Sequence, residues 1–275
     1  MRRTILFLAT VALVLLLVGG VAASQNSSGG GDVSIQSTTQ QASFTSGSGP
    51  TFLRVVVSEH GNLLSFESPQ VAQSLGGIEG YVLCSQDGST VHGYDYGSGE
   101  SGFGAATLSQ PNGAGTFPLT VTRNTSDGKF QLKQVWNKPD NIEKDVTVTM
   151  TLTNLSSTTI SGVVLSRTGE VNAGGLGADA NDFGTHTSDS ALQWDDLDVV
   201  GPPAVGLMLT ALTFGTAHTP YIENRSGWNP TGCFPSGGVQ TPVITRQDLA
   251  MRVNYSLGNM AASASKTVKF EYGRM

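Results

Sequence analysis

The stretch VTVTMTLT, residues 146–153, decides the fold. Val146, Val148, Met150 and Leu152 fall on one side of an extended chain; Thr147, Thr149, Thr151 and Thr153 fall on the other. Successive side chains of a strand point to opposite faces, so the octet reads as a strand with one face on a core and one toward water. Strands of that kind belong to antiparallel sheets. Near the C-terminus the pattern returns, with Val268, Phe270 and Tyr272 alternating against Lys269 and Glu271.

Working outward, more strands appear with turn residues between them. LRVVV at 53–57 and LLSF at 63–66 flank His60-Gly61-Asn62, and LTVT at 119–122 and FQLK at 130–133 flank Ser126-Asp127-Gly128. Both arrangements predict hairpins, and Asp-Gly supplies the positive φ of a tight turn. Further strands are expected at 162–167, 207–214, 250–257 and 267–272. No stretch of twelve residues beyond the N-terminal leader shows a 3.6-residue period; residues 69–75 come nearest, as one short helical turn. Roughly fourteen strands without intervening helices predict an all-β antiparallel sandwich, immunoglobulin-like or a larger supersandwich. A single domain over residues 51–275 is the favoured arrangement, with a split near 138–144 (KPDNIEK) as the alternative.

Residues 1–23 read as a signal peptide: Arg2 and Arg3, an uncharged run over 5–18, then Gly-Gly and small residues leading to cleavage after Ala23. An uncleaved anchor is the competing reading, but a membrane span needs about 20 apolar residues. Residues 24–50, rich in Ser, Thr, Gln and Gly, are expected to form a disordered tether. The chain is therefore expected outside the cytosol, secreted or in the cell envelope, with no membrane insertion once the leader is removed.

The whole chain carries 15 basic and 21 acidic residues, only 13% of residues are charged, and Gly accounts for 35. Without Arg2 and Arg3 the balance is 13 basic against 21 acidic residues, which argues against nucleic acid as a partner. Cys84 and Cys233 are the two cysteines. In an oxidising compartment such a pair reads as a disulfide closing a loop of roughly 150 residues, with two buried thiols as the alternative.

VTVTMTLTNLSSTTISGVVLSR (146–167) and VNYSLGNMAASASKTVKFEY (253–272) together resemble the opening and closing strand pairs of immunoglobulin-like modules in bacterial surface proteins. The resemblance covers about 42 residues and is one of pattern. It implies a β-sandwich and brings no activity with it. The long insertion between the segments and the extra strands before them depart from the small modules. Those departures leave open a supersandwich of the kind found in carbohydrate-active enzymes.

Chemistry is sparse. The acid-rich run 169–198 holds Glu170, Asp179, Asn181, Asp182, Asp189, Asp195, Asp196 and Asp198. Hard oxygen ligands this close suit Ca²⁺, with Asp179, Asn181, Asp182 and Asp189 as the candidate ligands. The fragment beginning at Asp179 fails as an EF-hand loop, because Phe183 and Ser190 stand where ligands belong. An acidic solvated loop is the other reading. Otherwise no cofactor is expected.

Glu170 and Asp182, then Asp95, are the carboxylates a glycosidase could use. Tyr94, Tyr96, Trp194 and Trp228 lie in Gly-rich or acidic loops where exposed rings could stack on sugars; the alternative is that they cover sheet edges. His60, His92, His186 and His218 are scattered singly, without zinc-ligand spacing. A Ser-His-Asp hydrolase could draw on any of them, although no Gly-x-Ser-x-Gly elbow occurs. The leading reading is a non-catalytic interaction protein with a glycan or surface protein as partner. A carbohydrate-active enzyme or binding module is the alternative, and a structural envelope protein a third.

Overall fold

The computed structural model describes residues 39–68, 74–75, 79–97, 99–172, 182–195, 206–236 and 248–275. The signal-peptide expectation, Asp179, Asn181, Asp196 and Asp198 lie outside the described residues. Strands are numbered along the chain.

One sheet has eight strands in the order β14 (Asp182–His186), β15 (Ser190–Asp195), β16 (Gly206–Ala211), β19 (Ser265–Arg274), β11 (Asp145–Asn154), β10 (Phe130–Trp136), β9 (Leu119–Asn124) and β8 (Thr107–Ser109). A second has six: β17 (His218–Asn224), β18 (Leu249–Met260), β12 (Ile160–Gly169), β5 (Gly80–Ser85), β6 (Thr90–Asp95) and β7 (Glu100–Ser101). A smaller sheet joins β1 (Gln40–Ser46), β2 (Leu53–Ser58) and β3 (Leu63–Glu67), and β4 (Ser74–Leu75) pairs with β13 (Val171–Asn172). Every strand pairing is antiparallel, so the expected all-β sandwich is what forms.

The octet that opened the reading becomes β11, in the middle of the eight-stranded sheet. Its burial alternates without a fault, and Val146, Val148, Met150 and Leu152 are fully buried. At about 25 cal/mol per Å² of apolar surface, each contributes on the order of 1.5–3 kcal/mol. The opposite sheet meets them with Leu83, Val163, Leu165, Met251, Val253 and Tyr255 in one continuous core. The ring of Tyr255 stands edge-on to Phe270 of the facing sheet, with centroids 4.9 Å apart.

Both segments that resemble the surface modules form strand pairs, and each pair is divided between the sheets. β11 pairs with β19 in one sheet while β12 pairs with β18 in the other. Residues 138–144 are the connection between β10 and β11, which lie side by side.

One boundary moves. Residues 40–46 were expected within the tether, yet they form β1, in register with β2 from Gln40↔Ser58 to Ser46↔Leu53. Ala42 is fully buried and Phe44 packs on the core, so two apolar residues at period two suffice once β2 offers its open edge. Cys84 and Cys233 do form a disulfide, with Cα atoms 6.1 Å apart. No helix among the described residues is long and apolar enough to cross a membrane.

The disulfide joins β5 to a segment outside the sandwich. Residues 225–236 lie over the outer face of the six-stranded sheet as a strap. Asn254 donates from Nδ2 to the Cys233 carbonyl (2.6 Å), and Arg252 donates to the carbonyls of Gly232 (2.8 Å) and Asn229 (2.7 Å). Val82, Cys84, Val164 and Cys233 make a small second core beneath it.

The interior also contains charge. Glu79 and Arg167 form a fully buried ion pair between the sheets. Arg167 donates from Nε to Glu79 (2.8 Å) and the Tyr272 hydroxyl (3.1 Å), from Nη1 to Gln134 (2.9 Å), and from Nη2 to the Gly61 carbonyl (3.2 Å). Glu79 also accepts from the Leu63 amide at 2.6 Å. The guanidinium sits 4.8 Å from the Trp136 ring centroid, with Tyr81 and Tyr272 alongside. Such neighbours satisfy a buried charge, which would otherwise be too costly to retain.

Candidate functional site

On β6 the alternation that sends Asp95 inward sends Tyr94 outward, opposite Val82 and against the small outer core. Tyr96 follows in the turn that leads to β7, its amide bonded to the Gly99 carbonyl (3.1 Å). The strap supplies the third ring. Residues Arg225–Gly227 form one 3₁₀ turn, capped by the Asn224 side chain on the Ser226 amide (3.0 Å), and Trp228 follows. Its Nε1 donates to Thr168 Oγ1 at 2.8 Å, which fixes the indole on the sheet.

The rings converge. Tyr94 and Tyr96 have centroids 5.8 Å apart, and Tyr96 meets Trp228 edge-on at 5.9 Å. All three are half-buried. The Arg225 guanidinium lies 4.7 Å from the Trp228 centroid, within cation–π range. From there its Nε reaches Glu170 Oε2 at 3.0 Å.

Asp248 completes the group. Its carbonyl accepts from the Arg225 amide (2.8 Å), and its carboxyl shares a hydrogen bond with Glu170. Desolvation pushes the Asp248 carboxyl above the ordinary range, opposed by Arg225 and by that bond to Glu170. The sequence reading reached Tyr94, Tyr96, Trp228 and Glu170 but missed Arg225, Asp248 and Thr168. No local signal marks those three, because the chain assembles them from separate segments.

The other candidates stand apart. Trp194 stacks on Phe183 across β14 and β15, centroids 5.9 Å apart and planes 15° apart. Of the proposed calcium ligands, Asp179 and Asn181 fall outside the described residues, and Asp182 is described only as the first residue of β14. Asp189 accepts from His218 Nε2 at 2.9 Å and from Ser188 at 2.6 Å. Glu170 is 3% exposed.

Among the described residues one further cluster, His60, Asp95 and Glu100, has ligand atoms close enough for a metal. Arg123 fills its centre, with nitrogens 2.6 Å from Asp95 and 2.6 Å from Glu100. A guanidinium already neutralises these acids, and a cation there would meet like charge at contact distance.

No protein-family model matches the sequence, and no curated protein matches it. Among solved structures, a bacterial glucoamylase complexed with acarbose superposes with a TM-score of 0.56 at 8% identity. The match covers 90% of this chain and 34% of that one. A polysaccharide lyase is matched at 10% identity and a TM-score of 0.36, covering 86% of this chain and 32% of the other. The chain thus spans about a third of the length of either. At such identity the first likeness is one of fold: a large antiparallel β-sandwich.

Proposed function

We propose that this protein is an extracytoplasmic glycan-binding β-sandwich whose site is the outer-face cluster of Tyr94, Tyr96 and Trp228, with Arg225, Glu170 and Asp248 beside them. The meeting of the Tyr94 and Tyr96 rings with Trp228, more than 130 residues on in the chain and itself stacked on the Arg225 that holds Glu170, is the observation that carries this reading. Aromatic faces and edges take the C–H surfaces of a sugar ring, while fixed polar groups take its hydroxyls. The leader and the disulfide support the setting, since such bonds persist in oxidising compartments. The glucoamylase that shares this fold over about a third of its length is complexed with acarbose, a carbohydrate ligand, which makes glycans the first ligand class to test.

Binding is favoured here over glycoside cleavage. A glycosidase sets two carboxyls about 5–9.5 Å apart, open to the bond it cuts, whereas Glu170 is 3% exposed and held by Arg225 at 3.0 Å. The test is affinity electrophoresis of the full chain through a panel of soluble neutral and acidic polysaccharides, with acarbose titrated by tryptophan fluorescence. Trp228→Ala should weaken any binding found by about tenfold, the effect of losing roughly 1–1.5 kcal/mol of stacking. Retardation by no member of the panel, or full retention of binding in Trp228→Ala, would refute the reading.

A further inference from the structure

Ser85, His92 and Asp127 come from three places in the chain and meet in a single line of hydrogen bonds. Ser85 ends β5, His92 sits at the bulge in β6 between Val91 and Gly93, and Asp127 occupies the β9–β10 turn. His92 Nδ1 lies 2.7 Å from Asp127 Oδ2, and His92 Nε2 lies 2.8 Å from Ser85 Oγ. A carboxylate can only accept, so Nδ1 carries the proton. Nε2 of the neutral ring is then the acceptor, and Ser85 must donate its hydroxyl hydrogen to it. This is the polarity a serine nucleophile requires of its base.

The acid is well held. Asp127 Oδ1 accepts from Thr125 Oγ1 (2.6 Å) and from the Lys129 amide (3.0 Å), while Oδ2 faces the histidine with the Lys129 ammonium 3.8 Å away. Desolvation would raise its carboxyl, but the bonds from Thr125 and His92 outweigh it and hold Asp127 below the ordinary carboxylate range. The imidazole is wedged edge-on against Phe130, centroids 4.9 Å apart, so it cannot swing away from either partner. Immediately after Ser85 the backbone turns through two non-glycine residues with positive φ, Gln86 (51°) and Asp87 (52°). Their amides are pinned to the carbonyls of Ser161 (2.9 Å) and Gly162 (3.0 Å). This is the tight turn of the β5–β6 hairpin, closed by the Gly88 amide on the Ser85 carbonyl (3.1 Å), and it fixes the backbone of Ser85.

A cleft of about 210 Å³ opens on the pair, walled by Ser85, His92, Thr90, Lys129, Ser156 and Thr158. We infer that Ser85, His92 and Asp127 form a serine-hydrolase site for small acyl esters of polar alcohols, separate from the aromatic cluster and independent of glycan binding. The cleft is small, and six hydroxyl side chains with one ammonium line it, which is why the acyl group is short and the alcohol polar.

In the first step Ser85 Oγ bonds to the ester carbonyl carbon while its proton passes to His92 Nε2. The resulting imidazolium gives that proton to the departing alkoxide, and an acyl-Ser85 ester remains. Water then attacks, loses a proton to His92, and expels Ser85 as its hydroxyl form; the net change is one ester plus one water to one acid plus one alcohol. The Lys129 ammonium, 3.8 Å from Asp127 Oδ2, and the Thr158 hydroxyl are the donors on the cleft wall for the transient oxyanion; the Thr90 hydroxyl already donates to Gln86. Asp127 is a positioning residue that keeps the histidine in its working tautomer.

The test treats the disulfide-intact full chain with a fluorophosphonate probe and maps the adduct by peptide mass spectrometry, beside a steady-state assay with p-nitrophenyl acetate. Wild type should carry one adduct, on Ser85, and Ser85→Ala should lose both the adduct and the turnover. Asp127→Asn should lower kcat by about 10³–10⁴-fold with KM retained, since it preserves shape and destroys the tautomer. An unlabelled wild type would overturn the inference, as would an adduct elsewhere or turnover unchanged in Ser85→Ala. Because the wild type alone can fail, misfolding of a variant does not protect the idea. Trp228→Ala should keep labelling at the wild-type rate, which separates this result from the glycan test.

Discussion

Replacing Glu79 by Gln should cost this protein about 3–5 kcal/mol, the usual consequence of stranding one member of a buried ion pair. The side chain keeps its shape, so the loss is electrostatic. Arg167 retains Gln134, the Gly61 carbonyl and Tyr272 as neutral acceptors, which places the expected value toward the lower end, near ~3 kcal/mol. An arginine cannot shed its proton to escape, whereas a buried glutamate can gain one.

The reverse change, Arg167→Met, should therefore be milder at acid pH. Desolvation already lifts the Glu79 pKa, opposed chiefly by Arg167, and removing Arg167 lifts it further. A folded-state value above the unfolded one means that stability is fully present below the unfolded pKa of about 4.3 and is lost as pH rises through the folded value. Arg167→Met should thus lose stability as pH rises above the unfolded value, until the raised folded value is passed, while Glu79→Gln, with no proton to release, should not. The double variant Glu79→Gln/Arg167→Met removes both charges and should recover to within about 2 kcal/mol of wild type. Urea unfolding followed by far-ultraviolet circular dichroism at several pH values gives all the numbers. A Glu79→Gln protein within 1 kcal/mol of wild type would refute the claim that this pair is dry and mutually dependent.

The Cys84–Cys233 bond, with a sequence separation of 149, should be worth about 5 kcal/mol by loop-closure entropy and 2–4 kcal/mol in practice, read as the drop in urea midpoint of the Cys84→Ser/Cys233→Ser protein. His60 has a raised pKa, set first by its hydrogen bond to Asp95 and opposed by burial. Its contribution should be intact below about pH 6.5 and vanish as pH rises through the folded value, and melting curves of His60→Gln should lack that decline. Asp145 is pushed up to about 6 by desolvation and by Glu271, Asp140 and Glu143. Its folded value exceeds the unfolded one, so the neutral form favours folding below about pH 4 and the benefit is gone by pH 7. Asp145→Asn should raise the melting temperature at pH 7 and leave it unchanged at pH 4, by less than about 1 kcal/mol after solvent screening.

How much of this was legible depends on which faces of a strand are covered. β11 announced itself because only one of its faces is buried. β5 reads GYVLCS and is buried at every position, since the strap covers the side that the core does not. β18 is buried from Leu249 through Tyr255 for the same reason. Such strands carry no alternation, and Arg252 in the middle of one looks like a surface residue. Arg123, Arg167 and Arg252 are all essentially inaccessible, and nothing in a single sequence says that each has an acid waiting across a sheet.

The aromatic candidates were read as rings in Gly-rich or acidic loops, yet Tyr94 lies on β6 and Trp194 on β15, and Trp228 reaches the tyrosines only because the 225–236 segment folds back over the sheet. Ser85 and His92 stand on the two strands of the β5–β6 hairpin and Asp127 in the β9–β10 turn, so no local motif could have joined all three. The β1 segment was hidden by composition: its pairing partner, rather than its own apolar content, holds it.

Because the strap is clipped to the outside of the sandwich by one sulfur bridge and a few backbone carbonyls, its sequence is free to change without disturbing the inner packing. Should the proposed glycan reading hold, substitutions within residues 225–236 would change the ligand while Arg252, Asn254 and Cys84 stay as the mount.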